Sequence, residues 1–109
     1  MNFQYCKVEI FIPGDYFKQL QQALIEVDAG HIGKYDACLS YSPVIGTWRP
    51  LDGTNPYKGE KNIISEEKEL KVEVTCKMDK IEETIKAIKK IHPYEEPVIN
   101  VIPLLKIGI

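Results

Sequence analysis

The sequence predicts a two-layer α+β sandwich in the order βαββαβ. Three observations carry this. Apolar and polar residues alternate at the N-terminus and again around residues 69–77, as in half-buried strands. Two segments carry apolar residues at helical spacing. Each of these follows a strand, so a short βαβ unit occurs twice. Two helices then cover one face of a four-stranded antiparallel sheet. The ferredoxin-like arrangement, with spatial order 4-1-3-2, is the expected topology.

The elements follow in order. From Gln4 to Ile12, residues Cys6, Val8, Ile10 and Ile12 share one face and Lys7 and Glu9 the other. Pro13-Gly14 ends this strand. Asp15 is placed to cap a helix whose buried stripe is Phe17, Leu20, Ala23, Leu24 and Val27, with Gly30 as its stop. A second strand is expected over Asp36–Tyr41, followed by a long connection from Ser42 to Lys68. The third strand, Glu69–Lys77, turns Leu70, Val72, Val74 and Cys76 inward. Asp79 opens the second helix, and Glu82 is placed for a capping-box-like return bond. Ile81, Ile85, Ile88 and Ile91 form its stripe. A fourth strand, Glu95–Leu105, lies at a sheet edge, where Pro97 and Pro103 are tolerated. Strands 1 and 3 become antiparallel neighbours, so Lys7, Glu9, Lys71 and Glu73 can pair across them.

Bulk properties narrow the function. A chain of 109 residues suits a single domain, 1–109. Its net charge of -2, with acids and bases interspersed, gives no nucleic-acid footprint. No apolar run approaches the ~20 residues of a membrane span, and the first strand does not read as a signal peptide. Cys6, Cys38 and Cys76 are odd in number and form no CxxC, so neither a zinc site nor a disulfide framework is indicated. A cytoplasmic location is the expectation.

Three stretches carry candidate chemistry. "IHPYEEP", residues 91–97, holds His92, Tyr94, Glu95 and Glu96 between a helix and a strand. Pro93 disfavours a helical His92 and so ends the helix, but this does not explain the residues that follow it. The loop "GHIGKYD" places His31 and Tyr35 after the first helix. In the 4-1-3-2 topology it lies at the opposite end of the sheet, so a site shared by both histidines needs two subunits. The third stretch, "GTWRPLDGTNPYKGE", residues 46–60, contains Trp48, the single Arg49 and Tyr57. Loops longer than about 12–15 residues are usually functional or disordered, and its aromatics argue for order. Arg49 offers a planar fork for a carboxylate or phosphate. The cysteines read as core fillers, and no G-x-S-x-G, phosphate loop or dinucleotide pattern occurs. No catalytic residue is assigned.

Together "GHIGKYDACLSYS", "GTWRPLDGTNPYKG" and "HPYEEPVINVIPL" resemble the small domain inserted in Nif-three-like proteins, over residues 3–105. "HPYEEP" also resembles the stretch that opens the last strand of CutA proteins, which are ferredoxin-like trimers related to the PII signalling proteins. The resemblance implies a CutA/PII-like fold and a homo-oligomer, expected to be a trimer, with ligands in clefts between subunits. The two-metal site of Nif-three-like proteins belongs to flanking halves that these 109 residues do not contain, so that hydrolase role does not carry over. The reading is therefore a small-molecule or regulatory binding module. Its candidate residues are His31, Tyr35, Trp48, Arg49, Tyr57, His92, Tyr94 and Glu96. Glu96 is expected to work with His92 and Tyr94, and Glu95 to make a structural bond. Two alternatives stand beside this reading: a divalent metal at His92 and Glu96, and a hydrolytic enzyme with His92 as general base.

Overall fold

The computed structural model describes residues 2–108. It consists of β1 (Tyr5–Ile12), α1 (Phe17–Glu26), β2 (Ser40–Trp48), β3 (Ser65–Lys77), α2 (Ile81–Ile91) and β4 (Ile99–Leu104). The strands form one antiparallel sheet in the order β2-β3-β1-β4, the expected order read from its other edge. Cys6, Val8, Ile10, Ile12, Val72, Val74 and Cys76 meet Leu20, Leu24 and Ile88 in one core. On the opposite sheet face Lys71 Nζ lies 3.2 Å from Glu73 and 3.5 Å from Glu9, and Lys7 lies 3.8 Å from Glu9. The predicted cross-strand pairing of these four residues is present.

The helix ends differ from expectation. Asp15 and Asp79 make no side-chain capping bond, and neither does Glu82. Each helix is entered through a 3₁₀ turn, Gly14–Tyr16 and Met78–Lys80. In the first of these the Tyr16 N–H donates to the Pro13 carbonyl at 3.0 Å, taking up a group that a cap would otherwise serve. At the C-terminus of α1 the left-handed position is held by Asp28 (φ 59), two residues before Gly30. The N–H groups of Asp28 and Ala29 donate back to Ile25 and Leu24, closing a Schellman motif. Gly30 (φ 81) instead bonds the sheet, its N–H donating to the Thr75 carbonyl at 2.8 Å.

The second strand lies elsewhere than predicted. Residues 36–39 are held off the sheet by the Cys38 N–H donating to the Gly30 carbonyl, and by Ala37 at φ 55. The strand occupies Ser40–Trp48 and pairs with β3 as far as Trp48↔Ser65. Residues 65–68, expected in the long connection, thus join Glu69 as the first five residues of β3. Because β1 reaches only Leu70 in its pairing with β3, this end of the β2–β3 hairpin projects past it. A hairpin beyond the two-layer body needs no continuous apolar face, so period-2 alternation does not mark it. β4 is also shorter than predicted, and Pro97 lies ahead of it in the turn; Pro103 sits on the edge strand opposite Cys6.

Candidate functional site

The IHPYEEP stretch follows α2, where the His92 N–H still donates to the Ile88 carbonyl at 3.0 Å. His92 itself is extended (ψ 131), as the following proline requires. Its ring is 8% exposed. The Tyr94 N–H donates to Nδ1 at 3.1 Å, so Nε2 carries the proton and donates to the Phe11 carbonyl at 2.7 Å. Both nitrogens of a neutral imidazole are therefore engaged with backbone. His92 ties the end of α2 to the end of β1 and fixes the turn that presents Tyr94. With both ring nitrogens bonded to backbone, neither is free in this arrangement for the metal, ligand or general-base roles expected of His92. Among the described residues no group of three His, Cys, Asp or Glu side chains is placed to hold a metal ion.

Burial lowers the His92 pKa from its ordinary value of 6.5, outweighing the opposing pull of the Phe11 carbonyl and Glu69. Below about pH 6.5 the unfolded chain then binds more protons than the folded one. The His92 contribution is complete above that pH and is lost as pH falls towards the folded value. Wild type is expected to lose urea resistance between pH 7.5 and pH 5, and His92→Asn to show a flatter profile over the same interval. His31 works in the opposite sense. Its Nδ1 faces Asp28 Oδ1 and its Nε2 the Gly33 carbonyl, each at 3.0 Å, so both nitrogens must donate and the imidazolium is favoured. Its raised pKa comes first from the Asp28 hydrogen bond. That contribution is present below about pH 6.5 and fades as pH rises through the raised value. It is screened because the pair is exposed.

Tyr94 points to the sheet face away from the helices. Its hydroxyl donates to Glu69 Oε2 at 2.7 Å, and burial, followed by this carboxyl, pushes the phenol pKa well above its ordinary value. Glu69 is only 7% exposed, and its carboxyl lies over Gly46 of the neighbouring strand. A Cβ at Gly46 would collide with that carboxyl. Glu69 is the functional candidate that sequence reasoning missed. The signal available was a glycine in an edge strand across from an acid-rich strand.

Aromatic rings surround this pair. Trp48 lies 5.5 Å from Tyr94 between ring centroids, and Tyr57 lies 5.9 Å away. The Trp48 Nε1–H donates to the Lys58 carbonyl at 3.3 Å, and Tyr57 meets Tyr16 edge-on at 6.3 Å, so both aromatics also anchor the loop. The Asn55 N–H donates to the Glu95 carboxylate at 3.0 Å, tying the loop to the HPYEEP turn; Glu95 makes this structural bond. Together they enclose a groove of about 480 Å³, lined among others by Trp48, Arg49, Tyr57, Glu69, Tyr94 and Glu96. Tyr94, expected to work with His92 and Glu96, meets His92 through its backbone N–H but gives its hydroxyl to Glu69, while Glu96 lines the groove and makes no bond to His92. His31 and Tyr35 stand apart. Their loop joins the sheet at Thr75, near the opposite end, and Tyr35 is 76% exposed.

Residues 54–108 match the family model described as CutA1 divalent ion tolerance protein. The chain belongs to the CutA1 family. That match covers β3, α2, β4 and part of the loop; Trp48 and Arg49 precede it. This CutA1-family chain is also 36% identical, over 102 residues, to a protein of Halalkalibacterium halodurans named GTP cyclohydrolase 1 type 2 homolog. The aligned part is 94% of the chain but 27% of that protein. A Bacillus subtilis protein of the same name is 35% identical over 98 residues, 90% of the chain and 26% of the relative. The chain thus spans about a quarter of the length of the curated relatives it matches. Among solved structures, a NIF3-related protein of Bacillus cereus superposes with a TM-score of 0.84 at 30% identity, covering 95% of this chain and 26% of that one. CutA1 of Shewanella sp. SIB1 gives 0.75 at 16% identity, over 99% and 88% of the two chains. The architecture is that of CutA, ferredoxin-like and PII-like, and it corresponds to the small domain within longer NIF3-related chains.

Proposed function

We propose that the chain is an oligomeric small-molecule or regulatory binding module whose ligand occupies the groove between the β2–β3 hairpin and the HPYEEP turn. The observation that carries this is the groove itself: about 480 Å³, walled by Trp48, Tyr57 and Tyr94, with a buried carboxyl within it. Ligand sites are typically concave, mostly apolar, and supplied with a few placed polar groups. His92 supports the groove from behind. Membership in a divalent ion tolerance family leaves room for metal ions in the biology. Ligation by this chain would require donors other than His92, from a second subunit. Three free cysteines suit a reducing, cytoplasmic setting.

A trimer with the groove at a subunit boundary fits the shape of the chain. Its radius of gyration is 14.9 Å, against about 13 Å for a compact domain of this length. The excess reflects the projecting hairpin. Tyr41 on β2 packs on Phe17 at 4.4 Å, but Ile45, further along the same face, is 63% exposed, and Ile64 is 66% exposed. Exposed apolar residues on and beside a projecting arm are suited to covering by another copy. Light scattering at micromolar concentration is expected to give three subunits, and Ile45→Asp combined with Ile64→Asp to shift the particle towards monomer. A monomeric wild type would remove the inter-subunit cleft. A thermal-shift screen of metabolites, repeated on Trp48→Ala, tests the groove: hits must disappear in the variant.

A further inference from the structure

Five charged side chains line the groove, and one differs from the rest. Arg49, Lys58, Glu95 and Glu96 are exposed. They are two of each sign, and water and salt screen them. Glu69 is only 7% exposed, so it supplies an unbalanced negative charge where screening is weak. Among the described residues it takes part in no ion pair. Glu67 lies two residues earlier on the same face of β3 and adds to this excess, since it too helps to raise the Tyr94 phenol.

The two oxygens of the Glu69 carboxyl have different surroundings. Oε2 accepts the Tyr94 hydroxyl at 2.7 Å. Oε1 lies over Gly46, where the absence of a side chain leaves it room. It accepts no hydrogen bond from the described residues, yet among them no fully buried side-chain oxygen or nitrogen is without a partner. Oε1 is therefore the oxygen that opens on the groove. A carboxylate held largely out of water is strongly disfavoured until a cation with N–H donors reaches it. Its surroundings are aromatic: Tyr94 holds Oε2, and Trp48 and Tyr57 meet Tyr94 with their planes tilted at 45° and 47°. Rings at such angles do not stack face on face, and an aromatic face attracts a cation within about 6 Å of its centroid.

Resting on the groove as the ligand site, we infer that its ligand is an organic cation, a protonated amine or amidine joined to an apolar body. Its N–H groups bond Glu69 Oε1, and its apolar body lies on Trp48 and Tyr94.

Trp48 is the single tryptophan, so its emission reports occupancy of the groove directly. The test titrates 2-phenylethylamine, its neutral isostere 2-phenylethanol and the anion 3-phenylpropionate into wild type, with calorimetry alongside. The amine is expected to bind, and the alcohol and the anion to bind about tenfold more weakly or worse, the scale of a lost charge-assisted hydrogen bond. Benzamidine against benzamide repeats the comparison for the amidine. Glu69→Gln keeps an acceptor for Tyr94 and should weaken the amine about tenfold while leaving the alcohol unchanged. Glu96→Gln removes an exposed charge from the same groove and should weaken the amine by about twofold or less. Equal affinities for amine and alcohol on wild type, or a preference for the anion, would overturn the inference without recourse to any variant. So would a loss in Glu96→Gln as large as in Glu69→Gln, which would assign the selectivity to exposed charge. Failure of both cations to bind at millimolar concentration likewise overturns it, and a Trp48-dependent hit in the metabolite screen would then leave the groove standing as the site. If a folded Trp48→Ala protein binds the amine as wild type does, the groove is not the site and both conclusions fall.

Discussion

Replacing His92 by alanine is expected to lower stability by about 3 kcal/mol, read as a reduced urea midpoint at neutral pH. The ring is buried against the ends of two elements and serves two backbone groups. Its removal leaves the Phe11 carbonyl and the Tyr94 N–H without their partners, each at about 1–3 kcal/mol when buried, and opens a cavity in addition. Backbone relaxation and entry of water into that cavity reduce the sum. His92→Asn can restore one of the two bonds and should recover part of the loss. An exposed loop histidine would change stability by under about 0.5 kcal/mol. A midpoint unchanged in His92→Ala would therefore refute the positioning role. His31→Ala is the internal comparison: its ring is exposed and bonds only within its own loop, so a small effect is expected.

The contrast between these two histidines shows what was legible in the sequence. Each follows a helix and precedes a tyrosine, and local pattern treats them alike. Burial separates them, and burial of His92 depends on Phe11, which is 81 residues away in the chain. The layer architecture, strand order and the Lys7, Glu9, Lys71 and Glu73 network were readable because each rests on alternation within a packed body. The hairpin beyond that body was not. Residues 44–48 and 65–69 pair with each other alone, with Pro43 and Gly46 in one strand and consecutive charges in the other. Helix entry was misread for a related reason: Asp15 and Asp79 have the right chemistry for caps, but backbone 3₁₀ turns satisfy the same donors. Among the site residues, Trp48, Arg49, Tyr57, Tyr94 and Glu96 were indicated by composition, and the structure brings them into one groove. Glu69 was hidden because an acid on the outward face of an edge-proximal strand reads as solvated. It is withdrawn from solvent because the HPYEEP turn and the 49–64 loop fold over that face.

Replacing Tyr94 by alanine is expected to cost about 3 kcal/mol, and by phenylalanine about 2 kcal/mol, with different parts of the side chain responsible. Alanine removes the ring that contacts Trp48, Tyr57 and His92, together with the hydroxyl. Phenylalanine keeps the ring and removes only the donor to Glu69, and a hydrogen bond to a charged group is worth about 1.5–3 kcal/mol. In Tyr94→Phe the Glu69 carboxyl stays out of water with no recorded partner. Adding Glu69→Leu should then restore stability to within about 1 kcal/mol of wild type, because two apolar side chains leave nothing unsatisfied. That recovery, measured by denaturation of the two single variants and the double, would show that the hydroxyl–carboxyl pair is not required to hold the fold. If the double variant is instead as unstable as the sum of the singles, the pair is structural, and the case for Glu69 as a ligand contact weakens. The groove reading requires the opposite outcome: a double variant that is stable, still packs Trp48 against ring 94, and has lost ligand affinity. A buried acid whose place leucine would fill equally well is then a group whose value lies in what it binds.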